Sequence, residues 1–224
     1  LYGIKNGIMD EPMIDIERED RTWDQEANWP NEDAQSTTLY MNPDEDGADG
    51  TLSDHPSWRG PSESHSFIDD PIIKATNLVE SPESDNPNRL VYLTPELTEE
   101  TRISGTPEVS IRANIDREVT NLTALLVDYG GEQPEIVTRG WIDPQNLRSS
   151  QWSSALVPGK EYTFQWNMQP DDYVFQEGNR IGIVFIASDY NYTLRPEAGT
   201  EITLNPKHSR IHLPIVGGKK GLDW

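Results

Sequence analysis

Three clusters in this chain carry residue types able to do chemistry. The first is Asn42-Pro43-Asp44-Glu45-Asp46-Gly47-Ala48-Asp49-Gly50. It sets oxygen-bearing side chains at alternate positions ahead of a glycine, as calcium loops do, because Ca²⁺ takes six to eight hard oxygen ligands around a tight turn. Asn42, Asp44, Asp46 and Asp49 are the candidate ligands. The twelfth position of such a loop is Ser53 rather than a bidentate glutamate, and no flanking helices are evident. A solvated acidic loop is the competing reading. The second cluster is the pair His208 and His212, four positions apart. On a helix these would share a metal. This stretch reads as a strand, which puts them about 13 Å apart, so a shared ion is not expected. The third is Ser53-Asp54-His55. Adjacent side chains do not face one another, and no Gly-x-Ser-x-Gly elbow occurs anywhere in the chain, so no serine nucleophile is assigned.

The remaining chemistry is aromatic. Seven Trp and eight Tyr, with Trp152, Tyr173, Tyr190 and Tyr192 in expected loops, would suit a sugar-binding platform. Core and interface anchoring is the commoner use of such residues, and Trp23 and Trp29 are read as packing. His55 and His65 are expected at the surface. Asn121-Leu122-Thr123 and Asn191-Tyr192-Thr193 fit the glycosylation pattern.

The elements that would hold these residues are strands. From residue 89 onward come Leu90–Leu93, Thr101–Gly105, Val109–Ile115, Leu122–Tyr129, Ile136–Ile142, Glu161–Asn167, Arg180–Ser188, Glu201–Leu204 and Ser209–Ile215. Gly, Pro, Asn and Asp punctuate them, and no helical periodicity intervenes. Such spacing predicts an all-β jelly-roll sandwich, resembling galactose-binding domains, with long loops and little helix. Earlier strands are expected at Met13–Glu17 and Ser36–Met41, with brief ones near Ser66–Ile68 and Ile72–Ile73 in a loop-rich stretch over 42–88. Asp143-Pro144 is expected to open one helical turn, since Asp caps and Pro suits the first position. Leu1 to Gly7 reads as the frayed end of a helix closed by glycine.

Bulk numbers narrow the partners. A formal net charge of -21 over 224 residues argues against sequence-independent binding to nucleic acid or anionic membrane. No apolar run is long enough to span a bilayer. Absence of cysteine excludes disulfides and thiol chemistry. No signal peptide is visible, so compartment stays open between a bacterial cytoplasm and the exterior.

In order along the chain, several segments are similar to a known family. They are Leu1-Tyr2-Gly3-Ile4-Lys5-Asn6-Gly7-Ile8-Met9-Asp10-Glu11-Pro12, Thr22-Trp23 with Asn28-Trp29-Pro30, Gly50-Thr51-Leu52-Ser53, Arg89-Leu90-Val91-Tyr92-Leu93-Thr94 through Ile103-Ser104-Gly105, Leu125–Tyr129, and Leu213-Pro214-Ile215-Val216-Gly217-Gly218. Together they resemble the C-terminal β-sandwich domain of X-prolyl dipeptidyl aminopeptidases and the related cocaine-esterase-like hydrolases. The resemblance implies that residues 1–12 are the tail end of a preceding α/β-hydrolase domain or a linker from it, and that 13–224 form the β-sandwich. It implies a serine-hydrolase parent, releasing N-terminal Xaa-Pro dipeptides, whose Ser-Asp-His triad lies outside this sequence. The catalytic domain of that parent is then the partner, and a homo-oligomer is compatible. The fragment alone is expected to be inactive and to need no cofactor, calcium at the acidic loop being the one candidate. An acyl-esterase parent shares the same domain, and a carbohydrate or cell-surface binding module is the alternative of a different class.

Overall fold

The computed structural model describes residues 6–43, 49–56, 64–149 and 151–224. The described residues form β1 (Ile14–Glu17), β2 (Trp23–Glu26), β3 (Ala34–Pro43), β4 (Gly50–Ser53), β5 (His65–Ile68), α1 (Ala75–Leu78), β6 (Leu90–Leu93), β7 (Thr101–Gly105), β8 (Glu108–Ile115), β9 (Leu122–Tyr129), β10 (Glu135–Ile142), β11 (Glu161–Asn167), β12 (Asp171–Phe175), β13 (Arg180–Ile186) and β14 (Glu201–Val216). The all-β sandwich expected from the strand spacing is what forms.

β14 is the axis of the fold. On one edge its first half pairs with β5 and its second half with β3. On the other edge it pairs with β8, and Ile215 reaches Ile103 of β7. Its inward side chains change phase midway: Ile202 and Leu204 point into the core, then Ile211, Leu213 and Ile215. A bulge between Asn205 and Arg210 causes the switch, since an extra residue moves every later side chain to the opposite face. The Ser209 hydroxyl closes the bulge by donating to the Asn205 carbonyl at 2.7 Å and accepting the Arg112 N–H at 3.1 Å. Alternation read across the bulge therefore splits one strand into the two runs expected from sequence.

β10, β9, β13 and β6 make up the opposite sheet, continued through β4 to β3. β4 and β6 run parallel, whereas the other ladders are antiparallel. Gly50 is required at this junction, because a Cβ there would sit 2.6 Å from the Tyr92 ring. Leu39, Phe67, Tyr92, Phe164, Phe185 and Ile211 belong to the core between the sheets.

β6, β9 and β13 are apolar on both faces, and a second cluster lies behind them. Val91, Leu125, Val127 and Val184 pack there against Ala75, Leu78 and Val79. An unbroken apolar run is the signature of a strand covered on both sides. The cover is the segment from Asp69 to Arg89, fastened at each end by a buried charged residue. Asp69 accepts the Ser188 N–H at 3.1 Å and its hydroxyl at 2.9 Å. Arg89 is 1% exposed, and its guanidinium donates to the carbonyls of Leu78, Glu80, Ser81 and Ser84. Its burial lowers its pKa.

Two local expectations need correction. Ile72 and Ile73 form no strand; residues 71–73 turn into α1, and Ile72 is exposed. Tyr173 lies not in a loop but in β12, 8% exposed within the core. The turn at Asp143 forms as expected, its side chain accepting the Gln145 N–H at 2.9 Å. Leu1–Lys5, where the helix end is expected, lie outside the described residues; Gly7 takes a left-handed φ of 84° ahead of the 3-10 turn Ile8–Asp10.

Arg89→Met should remove the donors from buried carbonyls and cost roughly 3–5 kcal/mol in urea denaturation. Arg117→Met, at an exposed guanidinium bonded to the Glu197 carbonyl, should stay within about 0.5 kcal/mol.

Candidate functional site: an acidic cleft beside an ion-paired hairpin

β1 and β2 form a two-stranded sheet of their own. Alternation places Ile14, Ile16, Asp24 and Glu26 on one face and Asp15, Glu17, Trp23 and Gln25 on the other. The first face meets the sandwich, where Ile16 is 8% exposed. Little apolar area is buried here, and the attachment is largely ionic. Arg18 bonds Asp24 at 2.7 Å and Asp172 of β12 at 2.6 Å. Arg102 of β7 takes the same Asp172 through both carboxylate oxygens at 2.8 Å and pairs with Glu26 at 2.6 Å. Two arginines thus clamp one carboxylate between hairpin and sandwich. Burial alone would raise the Asp172 pKa, but hydrogen bonds from Arg102, Ser104 and Arg18 outweigh it and hold the carboxyl below the usual range. Behind the clamp, the Ser104 hydroxyl accepts the Asn31 N–H at 2.8 Å and fixes the chain leaving the hairpin.

Beside the hairpin runs a cleft lined by Glu19, Asp20, Glu100, Asp128, Glu135 and Tyr173. The Tyr173 hydroxyl lies 3.0 Å from Asp128 and 3.3 Å from Glu135, and Asn179 donates to Asp128 at 3.0 Å. Burial pushes the Asp128 carboxyl upward, with Glu135 and Glu19 adding to the shift against the bonds from Asn179 and Tyr173. The Tyr173 phenol is raised too, by burial and then by Asp128. Such a cleft repels anions, and in both groups burial disfavours the charged form.

The residues singled out in the sequence do not converge on this cleft. The Asn42 amide donates to Ser53 at 2.7 Å and to the His55 carbonyl at 3.3 Å. Asp49 accepts the Val91 N–H at 2.7 Å, tying the strand junction to β6. Asp44 and Asp46 lie outside the described residues. The Ser53 hydroxyl donates to the His55 carbonyl at 2.6 Å while the His55 ring faces Asp54, so these three form no relay. His208 is exposed on the bulge, whereas His212 is half-buried with Nδ1 2.9 Å from the Thr38 hydroxyl. His65 is no loose surface residue: in β5 its Nδ1 meets the Tyr92 hydroxyl at 3.0 Å. Asn121 donates to the Leu194 carbonyl at 2.7 Å, so the first glycosylation motif is engaged in loop structure.

The expected aromatic loops lie elsewhere on the sandwich. The Trp141 and Tyr192 rings meet at a tilt of 32° with centroids 5.3 Å apart, and Arg139 lies over Tyr192 at 5.0 Å. The buried Asp189 carboxylate accepts from Arg139 at 2.9 Å and Trp141 at 3.2 Å. Trp152 and Leu194 are exposed on loops.

The ion clamp had no local sequence signal, because its members are up to 154 residues apart. β2 was missed for a related reason. Its outward Trp23 and inward Asp24 and Glu26 invert the usual apolar-in pattern, which holds because Arg18 of the hairpin turn pairs with Asp24 and Arg102 of the sandwich with Glu26.

Asp172→Asn should cost about 1.5–3 kcal/mol at neutral pH, measured by denaturant unfolding. The sign follows from the lowered pKa: the stability is present above the unfolded carboxyl's ~3.9 and is lost as pH falls through the depressed folded value. The difference between wild type and variant should therefore vanish in strong acid.

Among known proteins, a Bacillus cereus protein named as an Xaa-Pro dipeptidyl-peptidase is 55% identical over 96% of this chain, which spans 36% of that relative. A Rhodopirellula baltica protein with the same designation is 35% identical over 97% of the chain and again 36% of the relative. The chain thus spans about a third of the length of these curated relatives. Of solved structures, an α-amino acid ester hydrolase superposes with a TM-score of 0.73 over 92% of this chain and 41% of that one, at 19% identity. At that identity the likeness is one of fold. The family model for the X-Pro dipeptidyl-peptidase C-terminal non-catalytic domain matches residues 6–220, and the chain belongs to this family.

Proposed function

We propose that this chain is the accessory β-sandwich of a serine hydrolase that releases N-terminal Xaa-Pro dipeptides, and that it packs on the catalytic domain and shapes the approach to its pocket. The observation that carries the reading is the 55% identity over 96% of the chain to a relative nearly three times as long and named for that activity. Ser53 donates to a backbone carbonyl and the half-buried His212 meets Thr38, so these two are not paired as nucleophile and base. Acyl-enzyme chemistry needs a nucleophile, a base and an oxyanion site within reach of one another. In this reading those groups belong to the catalytic domain, and the sandwich supplies a rigid wall and an acidic surface.

The test compares this chain with the longer protein on a chromogenic Gly-Pro amide. The longer protein should turn the substrate over and lose activity to a serine-directed inhibitor, while residues 1–224 alone should be inert. Inhibitor-sensitive turnover by the isolated chain, or indifference of the longer protein to Xaa-Pro amides, would overturn the reading.

A further inference from the structure

The outward face of the β1–β2 hairpin has the composition of a covered surface. Trp23 is 62% exposed on it, Met13 is 76% exposed at its start, and Ile8 just before it is 61% exposed. Asp15 and Glu17 share the face of Trp23, and Asp10 and Glu11 lie between Ile8 and Met13 in the chain, all four exposed. A two-stranded hairpin is marginal in water without a third layer. This one has a packed layer on its inner face only, and there the contact is mostly ionic.

We infer that this outer face is the seat of the catalytic domain of the same longer chain, rather than the exposed loops around Trp152. Three observations favour that occupant. As a C-terminal domain spanning about a third of its relatives, the sandwich receives the rest of such a chain through the segment before Asn6, which leads straight into Ile8 and the hairpin. The Arg18–Asp172–Arg102 clamp fixes the hairpin rigidly from behind, so its outer face is held in place before anything docks. The carboxylate rim selects a partner face carrying an apolar recess for Trp23 ringed by Lys or Arg. A second copy of this chain does not satisfy that rim, because it brings another charge of -21 and the same acidic hairpin.

This inference rests on the accessory-domain reading, and the experiment separates the two. A photo-crosslinking phenylalanine replaces Trp23 in one sample of the longer protein and Trp152 in another. After irradiation, linked peptides are mapped by mass spectrometry. Position 23 should link within the same molecule to the catalytic portion, and position 152 should not. Intramolecular links from 152 and none from 23 would overturn the hairpin assignment while leaving the accessory reading intact. Links from 23 between two molecules would also overturn it, in favour of self-association. Absence of links from both, with the two portions melting as separate calorimetric transitions, would sink both readings. As a second readout, Trp23→Asp should leave the melting temperature of the isolated sandwich unchanged and lower that of the longer protein by several degrees.

Discussion

Everything else in the domain hangs on one strand that serves both of its edges. β14 runs for 16 residues and gives ladder partners to β5 and β3 on one side and to β8 and β7 on the other. Backbone N–H and C=O groups in a core must be paired, and here a single segment satisfies those of four neighbours. The bulge at Asn205–Arg210 lets it do so while following the bend of the sandwich. Without the phase change there, half of its apolar side chains would point to solvent.

The second constraint is the cover on the β6–β9–β13 sheet. A surface of Val and Leu side chains of that size has to be removed from water, and the chain does it with a mostly irregular segment rather than a long helix. Irregular backbone carries carbonyls that need donors. Arg89 supplies several from one planar group, which suits a guanidinium, as it is always charged and weakly hydrated. Two arginine strategies therefore coexist: one neutralises backbone dipoles in the interior, and the other clamps a carboxylate between hairpin and sandwich.

Local patterns in the sequence carried the strands well. The doubly apolar runs at Leu90–Leu93 and Leu122–Tyr129 became central strands, and Asp143-Pro144 capped its turn. What local pattern could not carry were features settled by distant partners. β2 and β12 carry acids at positions that turn inward, and they read as loops until Arg18 and Arg102 are brought to them. Likewise Ile72–Ile73 has strand composition, but the following residues are needed as a lid, so the chain turns there. The candidate site follows the same logic: Asn42, Asp49 and Ser53 make hydrogen bonds that tie neighbouring segments together, while the ion clamp is long-range.

The pairing of β3 with β14 has a temporal consequence. Ala34–Pro43 finds its long ladder partner only at Arg210–Val216, so on the ribosome it must wait while most of the domain is made. Contacts of such sequence separation close slowly. Until residue 216 has been synthesised, the edge of β3 stays open and the sandwich cannot seal. A longer protein with this domain as its last third would carry an unfinished module through that last third of its translation, and any interruption short of the last strand would leave an exposed β edge.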